Sequence, residues 1–442
     1  MSDVLMKAAQ LIMALSILVL IHEFGHFIVA KMMKVRVEKF YLFFNPGFSI
    51  FKFRKGDTEY GLGWLPLGGY VKVSGIIDES MDKEQMKQPP QPWELRSKPA
   101  WQRLIFMLGG IIMNVLLGIF IFWMLAFFNG EEYFPTSAVT YGIVVDSTGA
   151  SLGLKNGDKI IAVDGVREEN FNKIPGTIIL NIAKSITVDR NGKEMILPVT
   201  GEQIKKVIDS KSAGSFISVR FPFIIDKVSP GTAASEMNLQ HRDAVVAING
   251  KPVVYYNDVK ALLAANAGKE FSLTVLRDHR LSTFTGKLSS DGLLGVMPMQ
   301  PKAFFTTRKT HYSLISALPA GVNRAYETLI NYIKQFALIF SPEVQGYKHL
   351  GGFITIGNAF DPQWDWVTFW SFTGFLSIAL AFMNLLPIPA LDGGHVLFTL
   401  VEIVTRRKPS DKFLEYAQIA GMAILFALLL FANGNDLVHL FK

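Results

Sequence analysis

Two histidines and a glutamate lie inside a long apolar stretch near the start of the chain, in the sequence VLIHEFGHFIVA at residues 19–30. His22 and His26 are four residues apart, so on a helix they project from one face, where two imidazoles can bind one metal ion. Glu23 lies beside them and can act as a general base. Because an ionisable side chain inside a membrane span costs about 2.5–3.5 kcal/mol on insertion scales, three polar groups placed together predict a functional site.

A second polar cluster at membrane depth offers a further metal ligand. The sequence MNLLPIPALDGGHV at residues 383–396 contains prolines and glycines that break an otherwise apolar helix. Broken backbone at that depth is tolerated only where protein encloses it or where it lines a wet cavity, so we expect this segment to face the histidines. Asp392 is the expected third ligand. His395 is the alternative, because imidazole also suits zinc.

The predicted ligand set indicates one Zn²⁺ ion used in catalysis. The chain of 442 residues contains no cysteine, so every ligand must come from His, Asp or Glu. A catalytic zinc keeps three protein ligands and leaves the fourth position to water, whose pKa falls to about 7. Glu23 would take the proton from that water and deliver it to a leaving amine. These groups together favour hydrolysis of a peptide bond.

Long apolar runs place these residues in a membrane protein. Hydrophobic residues make up 50% of the chain and charged residues 18%. About 20 residues span the hydrocarbon layer as a helix, and four runs have nearly this length or more. The predicted fold class is a polytopic α-helical membrane protein with four transmembrane helices, a membrane-reentrant β-hairpin and two β-rich PDZ-like domains. The predicted transmembrane segments are residues 1–33, 104–128, 366–403 and 413–433.

The positions of the basic residues predict the orientation. They concentrate at residues 31–55, 96–103 and 406–408, close to the predicted spans. Cytoplasmic loops carry an excess of Lys and Arg, so segment 34–103 is expected on the cytoplasmic side of the membrane. Both chain ends are then expected on the extracytoplasmic side. The basic residues behind the net charge of +7 are therefore expected to lie near membrane lipid. No nucleic-acid partner is predicted.

An internal repeat lies between the second and third predicted spans. LKNGDKIIAVDGV at 154–166 aligns with LQHRDAVVAINGK at 239–251, a shift of 85 residues. The pattern resembles PDZ domains and predicts one at 131–213 and another at 214–305, both extracytoplasmic. PDZ domains typically capture an extended peptide, but the pair could equally serve as a spacer or size filter. A surface helix and linker are predicted at 306–365.

The motifs together resemble one protein family. H-E-F-G-H in the first span, N-x-x-P-x-P-x-L-D-G-G in a distant span and PDZ-like repeats between them are similar to the site-2 intramembrane metalloproteases, in particular the bacterial regulator of sigma-E protease group. The resemblance covers most of the chain. It implies that His22, His26 and Asp392 hold zinc, that Glu23 is the base, and that Asn384 hydrogen-bonds the substrate backbone.

The segment DTEYGLGWLPLGGYVKVSG at 57–75 predicts a hairpin, within about 52–77, whose apolar tip enters the membrane. A strand is expected at 70–74 and a turn at residues 66–69. We expect this hairpin to pair with unwound substrate as an extra strand. An ordinary cytoplasmic hairpin is the alternative. The predicted substrate-binding residues are Asn384, Gly61, Gly63, Trp64, Gly68 and Gly69.

The resemblance implies a zinc metalloendopeptidase of the bacterial inner membrane that acts in regulated intramembrane proteolysis. Its expected substrates are single-span membrane proteins such as anti-sigma factors, already shortened by an upstream site-1 protease. Two alternatives are a membrane-anchored PDZ scaffold with a non-catalytic metal site and a metal transporter. A transporter would need polar residues along several spans, whereas the second span contains only Asn114.

Overall fold

The computed structural model describes residues 2–75, 89–210 and 214–441. The chain forms two compact units. The first contains Met1–Gly130, His311–Ala337 and Tyr347–Lys442, and the second contains Glu131–Thr310 and Leu338–Gly346. The predicted segment ends at 76–77 and at 211–213 lie outside the described residues.

The described residues form twelve α-helices. In chain order they are α1 (Ser2–Met32), α2 (Ala100–Asn129), α3 (Ser147–Ser151), α4 (Ile174–Leu180), α5 (Gly201–Asp209), α6 (Ala233–Glu236), α7 (Tyr256–Ala265), α8 (Leu314–Ile339), α9 (Phe353–Asn358), α10 (Trp366–Leu385), α11 (Asp392–Thr405) and α12 (Asp411–Leu440). Within this part of the chain, α1, α2, α10 and α12 are the helices long and apolar enough to cross a membrane. Their number agrees with the four predicted spans.

Helix α2 is the central helix of the first unit and packs against α1, α10 and α11. Small residues let it approach α1 closely, because a Cβ atom on Gly25 would lie 2.3 Å from the carbonyl oxygen of Gly109. Arg103 at the start of α2 forms an ion pair with Glu402 near the end of α11, with 2.5 Å between Nη2 and Oε1. The contacts with α1 and α11 therefore fix the position and the rotation of α2.

The third predicted span is two helices rather than one. Helix α10 ends at Leu385, and α11 begins at Asp392. The segment 386–391 between them turns back tightly, since a Cβ on Gly393 would lie 2.2 Å from the carbonyl oxygen of Leu386. The two prolines of this segment, Pro387 and Pro389, thus break the helix in the region that the sequence indicated, whereas Gly393 and Gly394 lie in the first turn of α11.

A four-stranded sheet lies between α1 and α2 in the chain. Its strands are β1 (Val37–Phe44), β2 (Phe51–Lys55), β3 (Thr58–Leu62) and β4 (Leu65–Val73). Their order is β2-β3-β1-β4, with β1 parallel to β3 and antiparallel to β4. Both β2 and β4 are therefore edge strands.

The sheet corrects the predicted hairpin. The expected turn at Pro66, Gly68 and Gly69 is wrong, because these residues lie inside β4. Proline is tolerated in an edge strand, where a missing N–H need not break a ladder. Gly68 has a φ of +150°, and the register with β1 shifts near it, between Leu42 and Phe44, so the strand absorbs the irregularity without turning.

The second unit contains thirteen short strands among its described residues. They are β5 (Glu131–Tyr133), β6 (Ile143–Val145), β7 (Lys159–Val163), β8 (Ser185–Arg190), β9 (Lys193–Pro198), β10 (Ile217–Val219), β11 (Ile225–Val228), β12 (Ala244–Ile248), β13 (Lys251–Pro252), β14 (Glu270–Arg277), β15 (Arg280–Lys287), β16 (Val296–Pro298) and β17 (Arg308–Thr310). They pair as β7-β8-β9, β13-β12-β14-β15, β10-β6, β11-β16 and β17-β5. Two separate hydrophobic cores fill the unit.

The two aligned sequence segments adopt one arrangement in both copies. Asp158 and Asp243 are buried, and each carboxylate accepts hydrogen bonds from an arginine, Arg190 or Arg277 respectively. Each arginine comes from the strand that pairs with the strand following the aspartate. Ile217 packs in the first core, so the junction between the copies falls after the predicted boundary at 213/214.

Helix α8 lies against the helices of the first unit. Its small residues Ala317, Gly321 and Ala325 are buried. A Cβ on Gly321 would lie 2.6 Å from the backbone nitrogen of Trp123 in α2, and the Trp123 indole donates a 2.7 Å hydrogen bond to the carbonyl oxygen of Leu314. Charged residues interrupt the remaining apolar residues of α8, and this pattern is the basis of the predicted surface helix.

Candidate metal centre

Three side chains from distant parts of the chain meet in the first unit. Nε2 of His22 lies 3.2 Å from Oδ2 of Asp392, and Nε2 of His26 lies 3.3 Å from the same oxygen. The two Nε2 atoms are 3.3 Å apart. Within the part of the chain that the structure describes, these three residues form the group able to hold a metal ion, and Glu23 is not part of it.

The spacing of these three atoms fits zinc. A tetrahedral ion with ligand bonds of about 2.0–2.1 Å separates its ligand atoms by about 3.3 Å. The three observed separations have this length, so the atoms form one face of such a tetrahedron. Oδ2 of Asp392 is buried and, among the described residues, receives no hydrogen bond, although the two imidazole Nε2 atoms lie 3.2 and 3.3 Å from it. A buried carboxylate oxygen without a donor is costly, and a cation at the centre of the triangle would remove that cost.

The elements of the fold place each ligand. His22 and His26 are one turn apart on α1, and Asp392 is the first residue of α11. Gly110 of α2 makes room for both imidazoles, because a Cβ there would lie 2.5 Å from Cε1 of His22 and 2.6 Å from Nε2 of His26. No larger residue fits beside the histidines without displacing them.

The site is shielded but lies beside a cavity. The exposed side-chain fractions are 12% for His22, 8% for His26 and 19% for Asp392. A cavity of about 830 Å³ adjoins them and is lined also by Glu23 and Asn384. This volume is in the range of sites that bind small molecules or peptide segments. The ligand atoms are thus withdrawn from bulk solvent yet open to a bound chain.

Strand β4 runs along this cavity next to Glu23. Gly68, Gly69, Tyr70 and Val71 are among the lining residues. Glu23 packs against this strand, because a Cβ on Gly69 would lie 3.6 Å from Cγ of Glu23. An extended edge strand therefore lies directly beside the candidate general base.

Not every predicted site residue is at the cavity. Asn384, Gly68 and Gly69 line it, whereas Gly61, Gly63 and Trp64 are not among the lining residues. Gly61 lies against the ring of Tyr41, and a Cβ on Gly63 would meet the carbonyl oxygen of Phe44 at 2.2 Å. These two glycines thus have a packing role in the sheet.

The remaining two candidates are also placed by the structure. Trp64 stacks on Phe48 and donates a hydrogen bond to the carbonyl oxygen of Pro46. His395, the alternative ligand, lines the cavity but is outside the three-residue metal group. The geometry therefore favours Asp392 over His395.

Two site residues were not predicted from the sequence. Asn114 is fully buried in α2, with its Nδ2 atom 3.2 Å from Nδ1 of His22. Gly110 lies one turn before it. Their spacing on one helix, with Asn114 as the only strongly polar side chain of that span, is the signal that could have found them.

Comparison with known proteins gives matches along the whole chain. The family model of peptidase family M50 matches residues 10–428. A protein of Vibrio cholerae named as a zinc metalloprotease is 31% identical, with 100% of each chain covered. Proteins named regulator of sigma-E protease RseP from Salmonella typhimurium and Escherichia coli are 27% and 26% identical, also with 100% of each chain covered. The similarity includes both segments that carry the three candidate ligands.

Proposed function

The chain belongs to peptidase family M50 and is a zinc metalloprotease of the membrane; from this we propose that it cuts single-span membrane proteins within or near their transmembrane segment. Two relatives are named as regulator of sigma-E protease. We therefore propose membrane-anchored anti-sigma factors as substrates, cut in the bacterial inner membrane after trimming by an upstream site-1 protease. Cleavage would release a cytoplasmic fragment.

The observation that carries this proposal is the triangle of His22, His26 and Asp392 beside an open cavity. Three protein ligands leave one position of a tetrahedral ion free, as catalytic zinc sites require. The cavity lies where that free position can be reached by a substrate chain. A structural zinc site would be closed by a fourth protein ligand, so the arrangement supports hydrolysis over a scaffold with a non-catalytic metal.

The roles of the residues follow from their positions. His22, His26 and Asp392 would hold one Zn²⁺. Bound zinc lowers the pKa of water and polarises a carbonyl oxygen. Glu23 lies outside the ligand group, so its carboxylate is available to accept a proton from the attacking water. The same carboxyl group then returns the proton to the amide nitrogen as the C–N bond breaks.

The cavity also offers partners for an unwound substrate. A peptide bond in a helix is shielded, and a substrate made extended in lipid must pair its backbone groups again. Strand β4 is an edge strand that lines the cavity, so its outer backbone groups can pair with an added strand. Asn384 lies on the cavity wall as well and would hydrogen-bond the substrate backbone.

We propose that Asn384 is free for this role. Its Nδ2 atom is 3.4 Å from both Nδ1 and Nε2 of His22. Equal distances to the two ring nitrogens do not suit an in-line hydrogen bond to either, since hydrogen bonds prefer angles above about 150°. The amide can therefore turn towards a substrate without breaking a strong contact.

The two copies in the second unit are proposed to be PDZ-like domains on the extracytoplasmic side. Their shared strand pairing and their buried Asp–Arg pairs support a common ancestry of the two copies. We propose that they obstruct substrates with bulky outer domains. The basic segments near the spans support the orientation with both chain ends outside.

Replacing Glu23 with Gln tests the proposed function. The purified full-length chain would be mixed with a reporter protein that carries one transmembrane span, and cleavage and zinc content would be measured together. We expect the variant to retain one zinc and to lose cleavage by a factor of at least about 100, as expected for a missing general base. Retained cleavage would remove Glu23 as the base, and loss of zinc would make it a ligand.

A further inference from the structure

Asn114 is a buried polar residue that the ligand set does not include. Its side chain is 0% exposed, within a helix whose other core residues are apolar. A buried amide without hydrogen bonds costs about 1–3 kcal/mol, so such a group normally has a partner. The partner of the Asn114 amide is Nδ1 of His22, which lies 3.2 Å from Nδ2 of Asn114.

The protonation of His22 determines which amide atom must face it. Nε2 of His22 points to Asp392 and to Nε2 of His26, so Nε2 is the nitrogen that faces the metal position. A neutral imidazole that binds a metal through Nε2 carries its proton on Nδ1. Nδ1 is then a donor and requires an acceptor, which for asparagine is Oδ1.

Among the residues that the structure describes, no other hydrogen bond holds the amide in the opposite orientation. Oδ1 of Asn114 is buried and has no hydrogen-bond partner. The oxygen and nitrogen of an amide side chain are exchanged by a half-turn, and the choice between them is set by the hydrogen-bond network. Turning the amide brings Oδ1 to the position now 3.2 Å from Nδ1, where it accepts the proton of His22.

The second histidine has the same kind of partner from the same helix. Nδ1 of His26 lies 3.0 Å from the carbonyl oxygen of Phe106 in α2. Phe106 and Asn114 therefore place an acceptor at the outer nitrogen of each ligand histidine. The backbone of Asn114 is itself held by α10, because the Ser377 hydroxyl donates a 2.7 Å hydrogen bond to its carbonyl oxygen.

We propose that Asn114 is a positioning residue whose side-chain oxygen accepts the Nδ1–H of His22 and so fixes Nε2 as the metal-binding nitrogen. This inference rests on the proposed role of His22 as a ligand. Partners of this kind orient the ring and raise its basicity, and their removal typically lowers metal affinity by about 10–100-fold.

Two substitutions at Asn114 separate the hydrogen bond from the packing. Asn114→Leu keeps the approximate volume and removes the acceptor, whereas Asn114→Asp keeps an acceptor oxygen in place. Zinc retention would be measured on the purified full-length chain by competition with a chelator, and the visible spectrum of the Co²⁺-loaded protein would report ligand geometry. We expect Asn114→Leu to lose zinc about 10–100-fold more readily and to change the spectrum. We expect Asn114→Asp to behave like the unchanged chain.

Thr373→Val is the matched control, because Thr373 is as buried as Asn114 but its hydroxyl donates within α10, to the carbonyl oxygen of Phe369, so zinc retention should stay unchanged. Thermal unfolding of the metal-free proteins shows whether a variant is merely unstable, and Asn114→Ala replaces the Leu variant if that one does not accumulate. The proposal would be overturned if Asn114→Leu or Asn114→Ala retained zinc as well as the unchanged chain does. It would also be overturned if Asn114→Asp lost zinc as readily as Asn114→Leu. If His22→Ala also keeps its zinc, the proposed ligand set fails as well; if only the Asn114 variants keep theirs, this inference alone fails.

Discussion

At the scale of single residues, the centre depends on two kinds of side chain that differ in how they can be recognised. His22, Glu23 and His26 reveal their role by spacing within one helix turn, and Asp392 by its place in a broken apolar segment. Asn114 does not, because its partner is 92 residues away and only the packing of α2 on α1 brings the two together. The candidate ligands could therefore be proposed from the sequence, but the residue that we propose to orient one of them could not.

Gly110 provides a residue-scale test of that packing. In Gly110→Ala, the new Cβ would lie 2.5–2.6 Å from atoms of His22 and His26, and overpacking of this kind costs about 1–3 kcal/mol. We expect zinc affinity and reporter cleavage to fall together, each by at least about tenfold. Zinc content and cleavage rate of the purified chain are the measurements.

Gly176→Ala is the control for Gly110→Ala. Gly176 is also helical, in α4, but a Cβ there meets no atom within 4 Å. It should leave both quantities unchanged and stabilise its helix slightly. If Gly110→Ala binds zinc as the control does, the close packing of α2 on the histidines is not required.

At the scale of elements, edge and interior positions decide what the sequence can predict. The break between α10 and α11 follows from Pro387 and Pro389, because proline has no N–H to donate within a helix and its ring clashes with the preceding turn. Strand β4 is harder to predict from the sequence, because Pro66 and Gly68 indicate a turn in most settings. Their tolerance here comes from the edge position of β4, which depends on the pairing of strands more than 20 residues apart.

The role of β4 can be tested by cross-linking, because the chain contains no cysteine of its own. In a Glu23→Gln background, Lys72→Cys would place a thiol on the cavity wall. A reporter span would carry single cysteines at successive positions around the cleavage site. We expect disulfide formation at every second position, because the side chains of an added strand alternate between faces.

The opposite edge of the sheet supplies the control for this experiment. Lys52→Cys lies on β2, which is exposed and away from the cavity lining. It should give no cross-link above background. Cross-links spaced three or four positions apart would indicate a helical substrate and contradict strand addition.

At the scale of the whole molecule, the chain combines membrane helices that carry the centre with a β-rich unit inserted between α2 and α8. The two ends of the segment 131–310 lie next to each other, because Glu131 in β5 pairs with Thr310 in β17; the unit also includes Leu338–Gly346. Composition predicted this division, since the inserted segment has ordinary soluble composition. The junction between the two copies was predicted too early, because β10 pairs back with β6 of the first copy.

This pairing makes a clean excision feasible. Replacing residues 132–309 with a short Gly/Ser linker joins two neighbouring ends and keeps both flanking helices intact. If the inserted unit acts as a size filter, we expect the shortened protein to cut an untrimmed substrate that the full chain resists. Both proteins should cut a pre-trimmed substrate at similar rates, as measured by product formation. Continued resistance of the untrimmed substrate would show that the unit is not a filter.

The most direct measurement for the central claim is the zinc content per chain of five purified proteins: the unchanged chain, His22→Ala, His26→Ala, Asp392→Asn and Glu23→Gln. We predict one zinc in the unchanged chain and in Glu23→Gln, and loss of zinc on mild chelation in the three ligand variants. Full zinc retention in Asp392→Asn, under conditions that strip His22→Ala and His26→Ala, would contradict a centre shared by the two ends of the chain.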